Sequence, residues 1–552
     1  MHSIEVILIM MLAVIASSYI VRMLPFSLPV PLVQIALGIM IASITDQEVT
    51  LDPAVFFLLF LPPLLFLDGW RIPKEGLFRD RTMILELALG LVLLTVIGIG
   101  FLIHWMIPTM SLPVAFALAA IVSPTDPVAV SAIAARVPIP KRLMHILEGE
   151  SLLNDATGLV CFRFAVAAAV TGHFSLTSAS LTFLWVAFAG LVIGVVVTWS
   201  VSLAQRGLSL KFGEDSGSPI LINLLIPFGA YLIAEEVHAS GILAAVSAGI
   251  TMSYVELSGR ALATTRIQRT TVWNTVQFSL NGIVFVLLGE QFPEIWRSAV
   301  STVQQSHKEA GWLIAYALVI NLGLAVLRFS WVWVSFHWGL WRARKRGKKN
   351  RGYPHWRLVA ATSLAGVRGA ITLAGIMTLP LTMPDGTAFP DRNLAIFLAM
   401  AVIVLSLLAA SLLLPWLLNG LELPLDRKEE KEEDLARYES AKAALIAIEK
   451  KQHALVTKMP EEAELYAHAT TRAMAMYQQR VDNMNTEIDT EQLQRAEQAE
   501  RELWQAGLRS ERAHIFMMAR ERRISDKTAR RLVGEIDLIE TRLEEHSRTR
   551  ST

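Results

Sequence analysis

The chain has 552 residues, 53% of them hydrophobic and 18% charged, and its mean hydropathy of +0.46 excludes an ordinary soluble globular domain. Its net charge of +1 conceals an asymmetry, because Lys, Arg, Asp and Glu are sparse before about residue 420 and dense after it. The single cysteine, Cys161, excludes an intramolecular disulfide and, lying in an apolar run, reads as a small buried apolar residue.

A helix that crosses a bilayer needs roughly 20 mainly apolar residues. In chain order the candidates fall near 4–21, 27–44, 53–69, 82–107, 112–135, 143–171, 180–204, 218–237, 239–257, 271–291, 311–337, 356–382 and 392–418, thirteen in all. Lys and Arg gather in alternate loops: Arg71, Lys74, Arg79 and Arg81; Arg136, Lys141 and Arg142; Arg206 and Lys211; Arg260, Arg266 and Arg269; and the WRARKRGKKNR stretch at 341–351. The loops between them, such as TDQEVTLD at 45–52, are acidic or neutral. The positive-inside rule then predicts an external amino terminus and a cytoplasmic carboxyl terminus. The first span has neither a basic start nor a small-residue cleavage site, so it reads as a retained anchor. Residues 1–423 form the expected membrane domain. Residues 424–552, with charges at helical spacing, form an expected cytosolic, mostly helical tail, broken at Pro460 and capped at Ser525 and Asp526.

Ionisable groups inside spans cost about 2.5–3.5 kcal/mol each at a helix centre, so each asks for a reason. Glu86, Arg163, Glu235, Glu236 and Arg328 read as snorkelling end residues or structural ion pairs. The fifth span differs, because SPTDPV at 123–128 places Thr125 and Asp126 between two prolines. Each proline removes an N–H donor and disfavours helix before it, so the helix breaks there. Unwound backbone at that depth lines a cavity or lies buried in protein, and suits ion binding.

In the sixth span, GESLLNDA at 149–156 sorts by helical geometry: Glu148, Ser151 and Asp155 share one stripe, and Glu150 and Asn154 an adjacent one. Asp155, with Ser151 a turn earlier and Asn154 beside it, offers the oxygen ligands that a small hard cation prefers. A carboxylate stripped of water demands a partner, which is a proton or a metal ion. The twelfth span holds SLAGVRGAITLAG at 363–375, where glycines flank Arg368. A buried arginine calls for an acidic partner, and Glu150 is the candidate. Two interrupted spans in opposite orientation point to an inverted-repeat transporter with its site where they cross.

Taken together, FLPPLLFLDGW (60–70), SPTDPVAV (123–130), GESLLNDA (149–156) and GVRGAIT (366–372) resemble the cation:proton antiporter-1 family, which includes bacterial NhaP-type sodium/proton antiporters. The resemblance covers roughly residues 1–420. It implies a shared proton and Na+ site at Asp155, with Asn154 beside it and ligands from Ser151 and Thr125. Asp126 is implied to balance half-helix dipoles or reach the ion through water, and Glu150 and Arg368 to form a structural ion pair. Many members carry an acid four residues after the double proline, where this chain has Leu67 and then Asp68. One residue turns a helix by about 100°, so the sequence leaves open which way Asp68 faces.

The resemblance further implies an all-α polytopic fold of about thirteen helices, a homodimer in the bacterial inner membrane, alternating access and a role in pH and Na+ homeostasis. The Asn–Asp pair implies electroneutral exchange of cytoplasmic Na+, Li+ or K+ for external H+. No cofactor and no nucleic acid is expected; Na+ and H+ are cargo. A monovalent cation channel is the alternative, since polar interrupted helices also build filters, but a single buried carboxylate per chain suits a carrier better. An intramembrane hydrolase built on Ser151 lacks a histidine at the required depth, His145 lying near the start of its span.

Overall fold

The computed structural model describes residues 2–24, 28–44, 53–72, 81–126, 141–172, 176–212, 217–256, 263–305, 309–345, 356–418, 427–485 and 490–540, apart from 522, 526, 527 and 530. Pro127 and the remainder of the predicted fifth span lie outside the described residues, as do the loop positions Lys74, Arg79, Arg136 and Arg260, the 45–52 loop and the cap residue Asp526. The chain divides into two compact units, Met1–Glu422 and Leu423–Thr552.

Among its described residues the first unit is built of helices joined by short non-helical segments, with one isolated bridge between Thr382 and Ala388. Its elements are α1 (His2–Met23), α2 (Val30–Ile44), α3 (Pro53–Arg71), α4 (Arg81–Leu85), a π-helical turn (Glu86–Leu91), α5 (Val92–Met106), α6 (Leu112–Val122), α7 (Lys141–Thr171), α8 (Leu176–Phe212), α9 (Ser218–Glu236), α10 (Gly241–Glu256), α11 (Ala263–Gln305), α12 (Gly311–Lys345), α13 (Trp356–Leu364), α14 (Ala370–Met377) and α15 (Arg392–Leu418). Among the described residues, eight helices are long and apolar enough to cross a bilayer, and α2, α6 and α10 are shorter apolar helices. The membrane fold read from composition is therefore present. The predicted twelfth span is two helices separated by residues 365–369.

Helices in lipid gain nothing from apolar association as such, so close packing depends on small residues at the crossings. The crossing of α2 with α11 is one case: a Cβ on Gly38 would lie 2.1 Å from the Val286 carbonyl oxygen, and one on Gly289 would lie 2.0 Å from that of Ile35. The crossing of α3 with α10 is another, with a Gly249 Cβ 2.0 Å from the Phe66 carbonyl oxygen. These contacts leave no room to slide and fix the positions of α11 against α2 and of α3 against α10.

Glu86, Arg163 and Glu235, charged residues inside spans, are engaged by protein partners. Glu86 opens the π-helical turn; its carbonyl accepts from Trp331 Nε1 at 3.2 Å, and its Oε2 from Ser335 Oγ at 2.8 Å. Arg163 on α7 meets Glu235 on α9 at 3.1 Å, and Gly241 N at the start of α10 donates to the same Glu235 Oε1 at 3.3 Å. Cys161 is half-buried and packs against the main core.

The second unit consists of α16 (Arg427–Lys458), a single 3₁₀ turn (Pro460–Glu462), α17 (Ala463–Asn485), α18 (Thr490–Arg520) and a further helical stretch over 531–540. Pro460 interrupts the helix where its missing N–H and ring forbid continuation. Ser525 acts as a cap, its Oγ accepting from the Thr528 N–H at 3.1 Å. A small core of Leu508, Ile515, Ala529 and Ile536 and the ion pair of Arg512 with Asp537 hold this part together.

Candidate functional site

The site lies where two chain breaks meet. α6 stops at Val122, and Pro124, Thr125 and Asp126 are non-helical; on the other side residues 366–369 are non-helical between α13 and α14. The breaks are tied by the Asp126 N–H donating to the Val367 carbonyl at 2.7 Å. Arg368 supports both: its Nε donates to the Val122 carbonyl at 2.9 Å, its Nη1 to the Gly366 carbonyl, and its backbone N–H to Ser406 Oγ at 3.2 Å. A cation is favourable at the carbonyl end of a helix, where unpaired oxygens and the dipole both attract it. Gly369 is required by close approach, since a Cβ there would lie 1.8 Å from Asp126 Oδ2. Asp126 therefore rests against the N-terminal end of α14, the side of a helix that favours an anion.

Here one expectation is corrected. Glu150 does not pair with Arg368; both its oxygens accept hydrogen bonds from Arg328 of α12, Oε1 from Nη1 and Oε2 from Nη2, the latter at 2.7 Å. Glu150 is 1% exposed and Arg328 3%. The physical reason is that Arg368 already has its negative partners in the carbonyls at the end of α6 and at Gly366. That leaves Glu150 for the second buried arginine, whose side chain packs against Gly366.

Between the breaks and α3, α7 and α11 lies a cavity of ≈ 20 Å³. That is room for about one water molecule or a bare small ion. Of the residues singled out in the sequence, Thr125, Asp126, Ser151 and Asp155 line it. Asp155 is 3% exposed. Asn154 does not line the cavity; its Nδ2 donates to Thr125 Oγ1 at 3.0 Å and thereby orients that hydroxyl. Asp68 does line it, one turn beyond Leu64, while Leu67 points into a separate core with Phe66 and Trp273. The one-residue offset from the familiar pattern thus leaves the acid on the cavity side.

Gln277 and Asn281 of α11 and Thr372 of α14 also line the cavity, and sequence reading passed over them. Their signal was two uncharged amides four apart in an apolar span, invisible to a search for ionisable groups.

Residues 7–420 match the sodium/hydrogen exchanger transmembrane family model. The chain belongs to the sodium/hydrogen exchanger family. Relatives within it include an Escherichia coli (strain K12) protein named as an uncharacterized Na(+)/H(+) exchanger, YjcE, 40% identical over 548 residues and matched over 98% of this chain and 99% of that protein. A Bacillus pumilus sodium, potassium, lithium and rubidium/H(+) antiporter is 47% identical over 414 residues, 74% of this chain and 60% of that protein. The exchanger fold is similar to that of the sodium proton antiporter MjNhaP1 from Methanocaldococcus jannaschii at pH 8, with a TM-score of 0.57, 16% identity and coverage of 76% of this chain and 99% of that chain.

Proposed function

We propose that the chain is a secondary-active antiporter that exchanges a monovalent cation, Na+ first and Li+ or K+ second, for H+ by alternating access. The observation that supports it most is a one-ion cavity, at the crossing of two helix breaks, with Asp155 and Ser151 on one wall and Asp68 on another. Family membership and the names of the relatives point the same way.

The chemistry follows from the site's residues. Ionised Asp155, nearly cut off from water, is stable only beside a cation, so losing the cation and gaining a proton are one exchange at one group. The Ser151 and Thr125 hydroxyls replace water around the ion, and Asn154 holds the Thr125 hydroxyl in place. Asp126, set against the start of α14, balances the half-helix end. A site that carries either a proton or an ion, and changes sides only when filled, couples the two fluxes. A continuous pore needs an aqueous path, which a cavity for one ion does not supply, so the channel reading is the weaker.

We further propose the external amino terminus and cytoplasmic carboxyl terminus that the loop charges predict, a homodimer in the bacterial inner membrane, one cation moved per proton, and a role in pH and Na+ homeostasis. The second unit is then a cytosolic tail. The test is purified protein in liposomes with a trapped pH dye, with Na+, Li+ and K+ added in turn. A cation-driven pH change supports exchange and ranks the ions; no pH change with any cation at any pH across the neutral and alkaline range refutes it.

A further inference from the structure

Three of the amide side chains on α11, Asn274, Gln277 and Asn281, stand at i, i+3 and i+7 and form one stripe along the helix. Arg71, the last residue of α3, holds two of them: its Nη1 donates to Gln277 Oε1 at 2.6 Å and its Nη2 to Asn274 Oδ1. The third has no such engagement. Asn281 lines the cavity, and among the described residues it makes no hydrogen bond. A half-buried amide in an apolar span without a protein partner needs something in the cavity to bind.

What the cavity can hold is a single small ion or a water, and Asp68 of α3 and Ser151 and Asp155 of α7 line it together with Asn281. An amide nitrogen could serve a carboxylate, whereas an amide oxygen serves a cation; with the carboxylates of Asp68, Asp126 and Asp155 already lining the cavity, a cation draws the oxygen inward. The amide also sits on a rigid element, since α11 is locked to α2 two turns further on by the Gly38 and Gly289 crossing. A neutral oxygen at a fixed position discriminates among alkali ions by the distance at which it replaces hydration water. A proton on Asp155 has no use for it.

We propose that Asn281 is a cation ligand and selectivity residue of the transport site, supplied by α11 to the cavity that Asp155 also lines. This deepens the antiport reading and rests on it. The experiment compares wild type with Asn281→Ala and Asn281→Ser in two readouts: exchange in liposomes against concentration of Na+, Li+ and K+, and the shift of melting temperature in detergent as each cation is titrated at fixed pH. The expected result is an apparent KM for Na+ raised about tenfold or more, with most of the loss in KM and not in kcat, a changed order among the three ions, and a matching rise in the Na+ concentration that half-stabilises the protein. Unchanged KM, ion order and stabilisation midpoint in a folded variant overturn the proposal while leaving antiport intact. A wild type that neither exchanges nor is stabilised by any cation overturns both, and unfolding of the alanine variant shifts the comparison to the serine variant, which keeps a hydroxyl.

Discussion

Glu150 and Arg328 meet in a two-pronged ion pair, both side chains almost wholly buried, and join α7, which carries the cavity carboxylate Asp155, to α12. An exposed ion pair of this kind is worth little, but a buried one cannot lose one member cheaply, because the other remains charged and dry.

Glu150→Gln or Arg328→Met alone is therefore expected to cost about 3–5 kcal/mol, seen as a lower yield and a lower melting temperature in detergent. Combining the two removes both charges and recovers much of the loss. A double-mutant cycle of Glu150 with Arg328 gives strong coupling, and one of Glu150 with Arg368 weak coupling. The reverse order would restore the pairing expected from sequence.

Arg163 and Glu235 provide the contrast. Their side chains are 43% and 36% exposed, so water screens them and Glu235 keeps the Gly241 N–H when Arg163 is gone. Arg163→Gln is expected to change stability by less than about 1 kcal/mol, with a coupling to Glu235→Gln that shrinks further in high salt.

Gly369→Ala tests the crossing of the breaks. Its new methyl carbon would fall 1.8 Å from Asp126 Oδ2, so Asp126 or the backbone of the break must move. Exchange in liposomes is expected to be lost with only a modest fall in melting temperature, whereas wild-type exchange rates would mean that the position of Asp126 does not matter.

Much of this was legible in the sequence, and what was not has identifiable causes. The spans follow from apolar length, the break at 123–126 from two prolines around Thr125 and Asp126, and the division of GESLLNDA into two faces from the helical repeat. The partner of Glu150 was hidden because two arginines competed for one acid, and only the fold reveals that the carbonyls at Val122 and Gly366 satisfy Arg368. The facing of Asp68 was hidden because a one-residue offset moves a side chain by a quarter of a turn. Gln277 and Asn281 escaped notice because an amide costs far less than a charge to place in an apolar span, so nothing in composition marks it.

Electroneutrality is tested by voltage. With one cation moved per proton, an imposed potential does no net work on the cycle, whereas each uncompensated charge would gain about 2.3 kcal/mol per 100 mV. The expected exchange rate in potassium-clamped vesicles is therefore flat with potential, and a rate that follows the potential contradicts one-for-one exchange.

The most direct test of Asp155 as the shared group is the Asp155→Asn variant beside wild type in the same dye-loaded liposomes, with folding checked by melting temperature. Asparagine keeps the shape and removes both the charge and the titrating proton. The expected result is a folded protein that gives no pH change on addition of Na+, Li+ or K+, while wild type responds. Cation-driven proton flux at wild-type rates in the variant would contradict the assignment of Asp155 as the site that proton and cation share.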